Sequence, residues 1–385
     1  MSSETRHPAG PPGERTVSPR VAFLTDIPTP YMVAVLRAFG RRVDLTAVFC
    51  AERGGRGGDW VFGEDLGFRY RMLGGLRIER RNRDNAAVYP TPRILGALIA
   101  ERPAAVISPA FSFPTVSAAV YGAVTGTPLV IHSDGTAQSE RAFGRARHVA
   151  RRLLLPRAAA CVGNSVPAME RFVELGVPPE RVFPAPHATD IAPFQAVAGQ
   201  RGSRSGPLTV LHVGRLIPRK GIDRLLRGAA AAASEVPLRI MLVGTGPEEA
   251  ALRRLTGELR LDVEFRGFVD QPGLPAVYAE ADVFAFPTLD DPFGIVVLEA
   301  AASGLPLLAS PFAGATADIV RDGVNGFVAD PDDSTAWARA LVALARDPEL
   351  RRRLGHAAHE AVRDRTPERA ADGYAEAVGA VLATR

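Results

Sequence analysis

The feature that most limits what this chain can fold into is a strand-then-helix alternation that runs, stops and runs again. Apolar strand-like runs at 21–26, 44–50, 104–108, 128–132 and 158–162 are separated by helical patterns near 31–39, 92–101, 114–124, 139–155 and 166–175. Residues 195–207, QAVAGQRGSRSGP, then lose hydrophobic periodicity and read as a linker. The alternation restarts with strands at 208–213, 238–243, 263–265, 283–286, 307–310 and 326–329, with helices between them and more from 334 onward. Repeated β-then-α units bury parallel strands under helices on both faces. The expected fold is therefore α/β: two doubly wound, Rossmann-like domains, at 20–194 and 208–365, facing a cleft.

The remaining bounds are simple. The first segment, 1–19, is rich in Pro, Gly and Ser and reads as a flexible tail. Cys50 and Cys161 stand far apart without metal-ligand spacing, so neither a disulfide framework nor a metal site is expected, and the chain is expected in the cytoplasm. No apolar run reaches the length of a membrane span. Charge is uneven: residues 1–200 hold 24 Arg against 17 acids, whereas 201–385 hold 22 basic residues against 25 acids. The first half thus has more need of an anionic partner. Of the 46 basic residues one alone is lysine, Lys220.

Lys220 falls in LHVGRLIPRKGID, 211–223, which reads as a strand ending at Gly214, a loop, and a helix beginning near Lys220. Arg215, Arg219 and Lys220 converge where a helix macrodipole disfavours cations. The cluster is either a solvated loop or a site for a diphosphate, whose oxygens suit arginine forks and a lysine point charge. In VGTGPEEA, 243–250, the Gly244 and Gly246 turn lets backbone approach closely, while Glu248 and Glu249 make it a poor phosphate loop. FRGFVD, 265–270, brings the Phe268 and Val269 backbone to a strand end.

The stretch AFPTLDDPFGIVVLEAAASGLP, 285–306, reads as a strand end, an acidic turn and a helix from about Pro292 to Ser303. Asp291 before Pro292 is an ordinary N-cap and N1 pair. Gly294 in a first turn costs about 1 kcal/mol relative to alanine, yet leaves the N–H groups of Phe293, Gly294 and Ile295 open to an anion. Glu299 is the one ionisable residue on a helix that is apolar on every face, and a carboxylate there needs a polar partner.

The succession VGRL…RKG, GTGP, FRGFV and DPFGIVVLEAAASGLP resembles, in order and spacing, the C-terminal domain of retaining GT-B glycosyltransferases of family 4. The resemblance covers about 208–330. It implies a GT-B fold, a last helix (366–385) crossing back to the first domain, and transfer of a sugar from a nucleotide diphosphate donor without a metal or other cofactor. Arg215 and Lys220 would neutralise the diphosphate, while Gly294, Ile295 and Val296 would offer amides to phosphate and sugar. Glu299 would take the ribose hydroxyls, Asp291 the transferred sugar, and Val269 the base through its main chain; Gly214, Gly244 and Phe293 complete the donor site. Asp291 stands where the family's two-glutamate motif has its first glutamate, one methylene longer.

The first domain would choose a hydroxyl acceptor, a secondary metabolite or an envelope glycan or glycolipid precursor. The stretch PLVIHSDGTAQSER, 128–141, is similar to the acceptor loop of relatives, so His132 or Asp134 would orient the acceptor hydroxyl, against the alternative of a turn with a packed histidine. The stretch HATD, 187–190, stands where relatives have an Asn-Gly turn and reads as structural, and the 25–40 loop lacks the family's glycines. RAFGRARHVARRLLLPR, 141–157, carries six arginines and no acid. It is a solvated face, a surface for an anionic membrane, or a contact for a phosphorylated acceptor. Two other functions share this sequence pattern: a GT-B sugar-nucleotide 2-epimerase, and a non-catalytic sugar-nucleotide-binding protein.

Overall fold

The computed structural model describes residues 18–51, 65–75, 78–79, 87–88, 91–141, 144–199 and 206–384. Of the expected features, residues 1–17 of the tail, 200–205 of the linker and 142–143 of the basic stretch lie outside them.

The first half builds strands β1 (Arg20–Thr25), β2 (Asp44–Phe49), β3 (Arg69–Met72), a short antiparallel ribbon of β4 (Ile78–Glu79) and β5 (Ala87–Val88), then β6 (Ala105–Pro109), β7 (Leu129–Ser133), β8 (Ala158–Gly163) and β9 (Val182–Pro184). Seven of these form one sheet in the order β3-β2-β1-β6-β7-β8-β9, and every pairing in it is parallel. Its central strands are buried on both faces, as their unbroken apolar runs require. The second half gives β10 (Leu208–Val213), β11 (Leu238–Val243), β12 (Val263–Gly267), β13 (Val283–Phe286), β14 (Leu307–Ala309) and β15 (Gly326–Val328). These lie in the order β12-β11-β10-β13-β14-β15, again all parallel. Each sheet is covered by helices on two sides, so the expected pair of doubly wound α/β layers is what the chain forms.

Strand order reverses between β1 and β6 in the first sheet and between β10 and β13 in the second. In such sheets the crevice at the reversal, beyond the strand carboxyl ends, is where ligands fit. The loops that follow β10 and β13 are the RKG and DDPFG segments.

The structure differs from the sequence reading at the linker. Residues 195–198 continue a helix, Ala192–Ala198, whose Phe194 is buried against Tyr278 with ring centroids 5.5 Å apart. Ala192–Ala198 is held by packing on the second half; its seven residues are too few to show a helical period in a window of sequence.

The last helix, Pro367–Ala383, is N-capped by Thr366 and packs on the first sheet rather than the second. Its Tyr374 lies edge-on to Phe23 at 5.3 Å, and its hydroxyl accepts from Asn164 Nδ2 at 3.1 Å. Tyr374→Phe is expected to cost about 1–2 kcal/mol through the lost hydroxyl and Tyr374→Ala about 3–5 kcal/mol through the cavity, both read as urea midpoints.

Candidate active site

The site is assembled from the two loops that flank the reversal in the second sheet. After β10 the chain makes a single tight turn, Pro218–Lys220, and the helix begins only at Ile222. Lys220 therefore stands before the helix rather than in its first turn. The Arg219 carbonyl accepts from Leu289 N at 2.8 Å and Thr288 Oγ1 at 3.0 Å, and Arg219 Nη1 donates to the Asp290 carbonyl at 2.8 Å. These bonds clamp the RKG loop onto the loop after β13. Across that clamp Lys220 Nζ donates to Asp291 Oδ2, with Arg219 3.9 Å from the same oxygen. The Lys220 ammonium also lies 5.1 Å from the centre of the Phe286 ring.

The expected N-cap and N1 pair at Asp291 and Pro292 is corrected by the structure: the helix is Ile295–Ala302. Gly294 has φ +93°, a left-handed conformation that stops helix propagation, and a Cβ there would lie 2.7 Å from the Phe286 ring. Gly294 is thus a close-approach glycine at the mouth of the helix, not a helical residue. The first N–H groups of that helix, Ile295 and Val296, have no i−4 carbonyl inside it. Asp291 caps its own loop instead, accepting from Phe293 N at 3.1 Å. Main-chain bonds to Phe312, Gly314 and Ala315 pin the loop from the other side. Burial raises the Asp291 carboxyl, but Lys220 and Arg219 outweigh it and hold the group below its ordinary range, ionised.

Glu299 is 3% exposed, and its partner is not missing. Tyr278 Oη donates to Oε2 at 2.9 Å and Gln271 Nε2 to Oε1 at 3.3 Å. Burial pushes Glu299 up to about 7 against these donors, while burial beside Glu299 keeps the Tyr278 phenol protonated. Neither Tyr278 nor Gln271 was singled out by sequence. Tyr278 sits in the helix Leu274–Ala279 and Gln271 just beyond FRGFVD, a segment whose loop already pointed to the site.

The other expected donor residues fall around this centre. Gly214 and Arg215 follow β10, both half-buried. Gly244, at φ +128°, follows β11, and a Cβ on it would strike the Gly214 carbonyl at 1.9 Å, so the two loops pack backbone to backbone. Val269, partly buried, packs against the core that holds the Ile295–Ala302 helix.

Phe293 is buried and reaches the first domain: the His187 ring lies against it, tilted by 34° with centroids 4.5 Å apart. His187 Nε2 is 3.9 Å from Asp134, which follows β7 and is half exposed. His132, two residues earlier and inside β7, is buried, its Nδ1 3.3 Å from Tyr374 Oη. Burial lowers His132 to about 4 and lowers His187 against the fields of Asp134, Asp291 and Asp318, so both are neutral at pH 7. The Nε2 atoms of both are buried without a hydrogen-bond partner. The HATD segment, read as structural, therefore brings His187 to the meeting of the two halves. Its signal was the histidine in place of asparagine.

What the fold and site define is a two-domain, Rossmann-like α/β protein with cations, a helix mouth and two buried carboxylates gathered where a parallel sheet reverses. Two family models match in tandem and take in most of the chain: the glycosyl transferase 4-like domain over residues 28–188 and glycosyl transferases group 1 over 194–361. The chain belongs to the glycosyltransferases of GT-B architecture. Among curated proteins it is 32% identical to D-inositol 3-phosphate glycosyltransferase of Nocardia farcinica over 54% of this chain and 50% of that one. It is 42% identical to phosphatidyl-myo-inositol mannosyltransferase of Mycobacterium leprae over 40% of this chain and 42% of that one. The matched region thus spans about half the length of these relatives. Among solved structures, Anabaena HepE with UDP and glucose superposes with a TM-score of 0.73 at 20% identity, covering 94% of this chain and all of that one. Sucrose-phosphate synthase of Thermosynechococcus elongatus superposes at 0.74 and 19% identity, covering 95% and 100%.

Glu299 yields a prediction about stability. Its folded pKa of about 7 lies above the ordinary 4.5, so the folded chain holds the extra proton between those values and stability falls as pH rises through that window. Glu299→Gln is expected to raise the melting midpoint at pH 8, with the gain shrinking toward pH 5, as read by differential scanning calorimetry across that range.

Proposed function

We propose that the protein transfers a sugar from a nucleotide diphosphate sugar to a hydroxyl acceptor, with retention of anomeric configuration and without a metal. The observation that carries this reading is the joining of Lys220, Arg219 and Asp291 across the strand reversal, beside the Gly294 helix mouth and the buried Glu299. Lys220 and Arg215 take the diphosphate together with the amides of Gly294, Ile295 and Val296. Glu299 Oε1, held only by the longer Gln271 bond, takes the ribose hydroxyls while Tyr278 anchors Oε2. Asp291 holds the transferred sugar, and the Val269 main chain meets the base.

As the bond from the sugar to the diphosphate breaks, negative charge grows on the leaving oxygen, and fixed cations with a helix N-terminus lower that barrier. The acceptor oxygen forms the new bond on the same face, and its proton passes to the departing diphosphate. Asp134, His132 and His187 stand on the acceptor side, with neutral imidazoles whose buried Nε2 atoms have no hydrogen-bond partner. Relatives named for D-inositol 3-phosphate and phosphatidyl-myo-inositol favour an anionic polyol as acceptor, in keeping with the basic first half. Secondary metabolites and envelope glycan precursors are the wider class.

Thermal-shift titration with UDP-, dTDP-, GDP- and ADP-sugars is expected to single out one donor. Lys220→Met paired with Asp291→Asn removes both charges together, so the chain stays folded by circular dichroism while turnover of that donor drops at least about 10²-fold. Undiminished turnover defeats the assignment, and release of an epimerised sugar nucleotide with no acceptor present would make the protein a 2-epimerase. An α-linked donor is expected to give an α-linked product by NMR, at a rate unchanged by EDTA.

A further inference from the structure

Three neighbouring helices of the first domain leave an apolar strip uncovered. Phe113–Thr125 packs between Arg93–Glu101 and Arg145–Leu154 on one face of the first sheet. Its Val116, Val120 and Val124 follow one another at i, i+4 and i+8 on its outer side, with Val124 83% exposed. Ile99, 63% exposed, stands on one neighbour, and Val149 and Leu153, 56% and 57% exposed, stand on the other. Half of the exposed large apolar side chains among the described residues thus share this one face, where scattered ones would need no explanation.

The exposed charged side chains on these three helices are all arginines. The central helix carries no charged residue at all. Arg145–Leu154 carries four arginines and no acid, with Arg145 and Arg152 exposed on the side that presents Val149 and Leu153. The acids nearest in sequence are engaged: Glu140 is buried and paired with Arg151 and Arg171, and Glu101 pairs with Arg71. Apolar side chains standing proud of a basic rim are the pattern that seats in the headgroup layer of an anionic bilayer. A second copy of the chain fits poorly, because a two-fold contact would set basic rim against basic rim.

We infer that the strip formed by Ile99, Val116, Val120, Val124, Val149 and Leu153, with its arginine rim, seats the first domain on an anionic lipid surface. The sequence pointed at 141–157 alone; the structure moves the apolar part of the contact onto the uncharged helix beside it. That helix starts directly after the carboxyl end of β6, so one end of the strip opens toward the crevice. An acceptor held in the bilayer reaches the site from that end.

The test is vesicle co-sedimentation of the full chain with phosphatidylcholine alone and with about 30% phosphatidylglycerol, at low and high salt. Binding is expected only to the anionic vesicles and to weaken with salt. Val120→Asp with Val124→Asp is expected to lower it at least about tenfold, as is Arg145→Glu with Arg152→Glu. All these sites are exposed, so circular dichroism and nucleotide-induced thermal shifts stay unchanged. Val324→Asp, at an exposed apolar residue of the second domain, leaves vesicle binding intact. Equal binding to neutral vesicles, no binding to either kind, or equal loss in the Val324 variant overturns the inference. A dimer dissolved by the paired Asp substitutions, without vesicle binding, would assign the strip to a second copy instead.

Discussion

The contact on which the site depends is the ion pair between Lys220 and Asp291. Each partner comes from a loop after one of the two strands, β10 and β13, that flank the reversal of the second sheet. Taking two charges out of water costs several kcal/mol per ion before attraction and hydrogen bonds repay it, so such a pair adds little stability by existing, while losing one partner costs about 3–5 kcal/mol. What the pair does is fix position: with the Arg219 main-chain clamps it makes two loops into one surface. A compact ammonium serves here better than a guanidinium. It fits over the Phe286 ring and keeps donors to spare for a phosphate oxygen. In a chain whose other basic residues are all arginine, that is a physical reason for lysine at 220.

Two glycines decide how closely these parts meet. Gly244 lets the loop after β11 lie against the Gly214 backbone, where any side chain would collide with a carbonyl. Gly294 turns left-handed under the Phe286 ring and starts the helix three residues later than Pro292. Because the helix starts there, its first amides, those of Ile295 and Val296, stand at the helix mouth rather than inside a longer helix. The helix is apolar all round because helices 192–198, 314–319 and 348–361 pack on it as well as the sheet.

Much of this was legible in the sequence. The alternation of apolar runs and helical periods located both parallel sheets, and the lone lysine, the DPFG turn and the charge-free helix around Glu299 marked the segments that the fold brings together at the strand reversal. What escaped has identifiable causes. The Ala192–Ala198 helix is one short element stabilised by Phe194 packing, which periodicity does not register. Glu299 was read as wanting a ligand because Tyr278, 21 residues upstream, meets it only through the fold. His187 was set aside because its loop looked like a turn; its contact with Phe293 joins residues from the two domains, a long-range pairing no local pattern encodes.

The aspartate at 291 is the departure from the resemblance that most needed an account, and its geometry supplies one. Its Oδ1 accepts from the N–H two residues on, the reach of an Asx turn, while Oδ2 faces Lys220 and Arg219. A short side chain makes that local bond easily; a glutamate, one methylene longer, would carry its carboxylate past the Phe293 amide and farther toward the crevice. The same residue that fixes the DPFG loop from within is thereby kept ionised and drawn back.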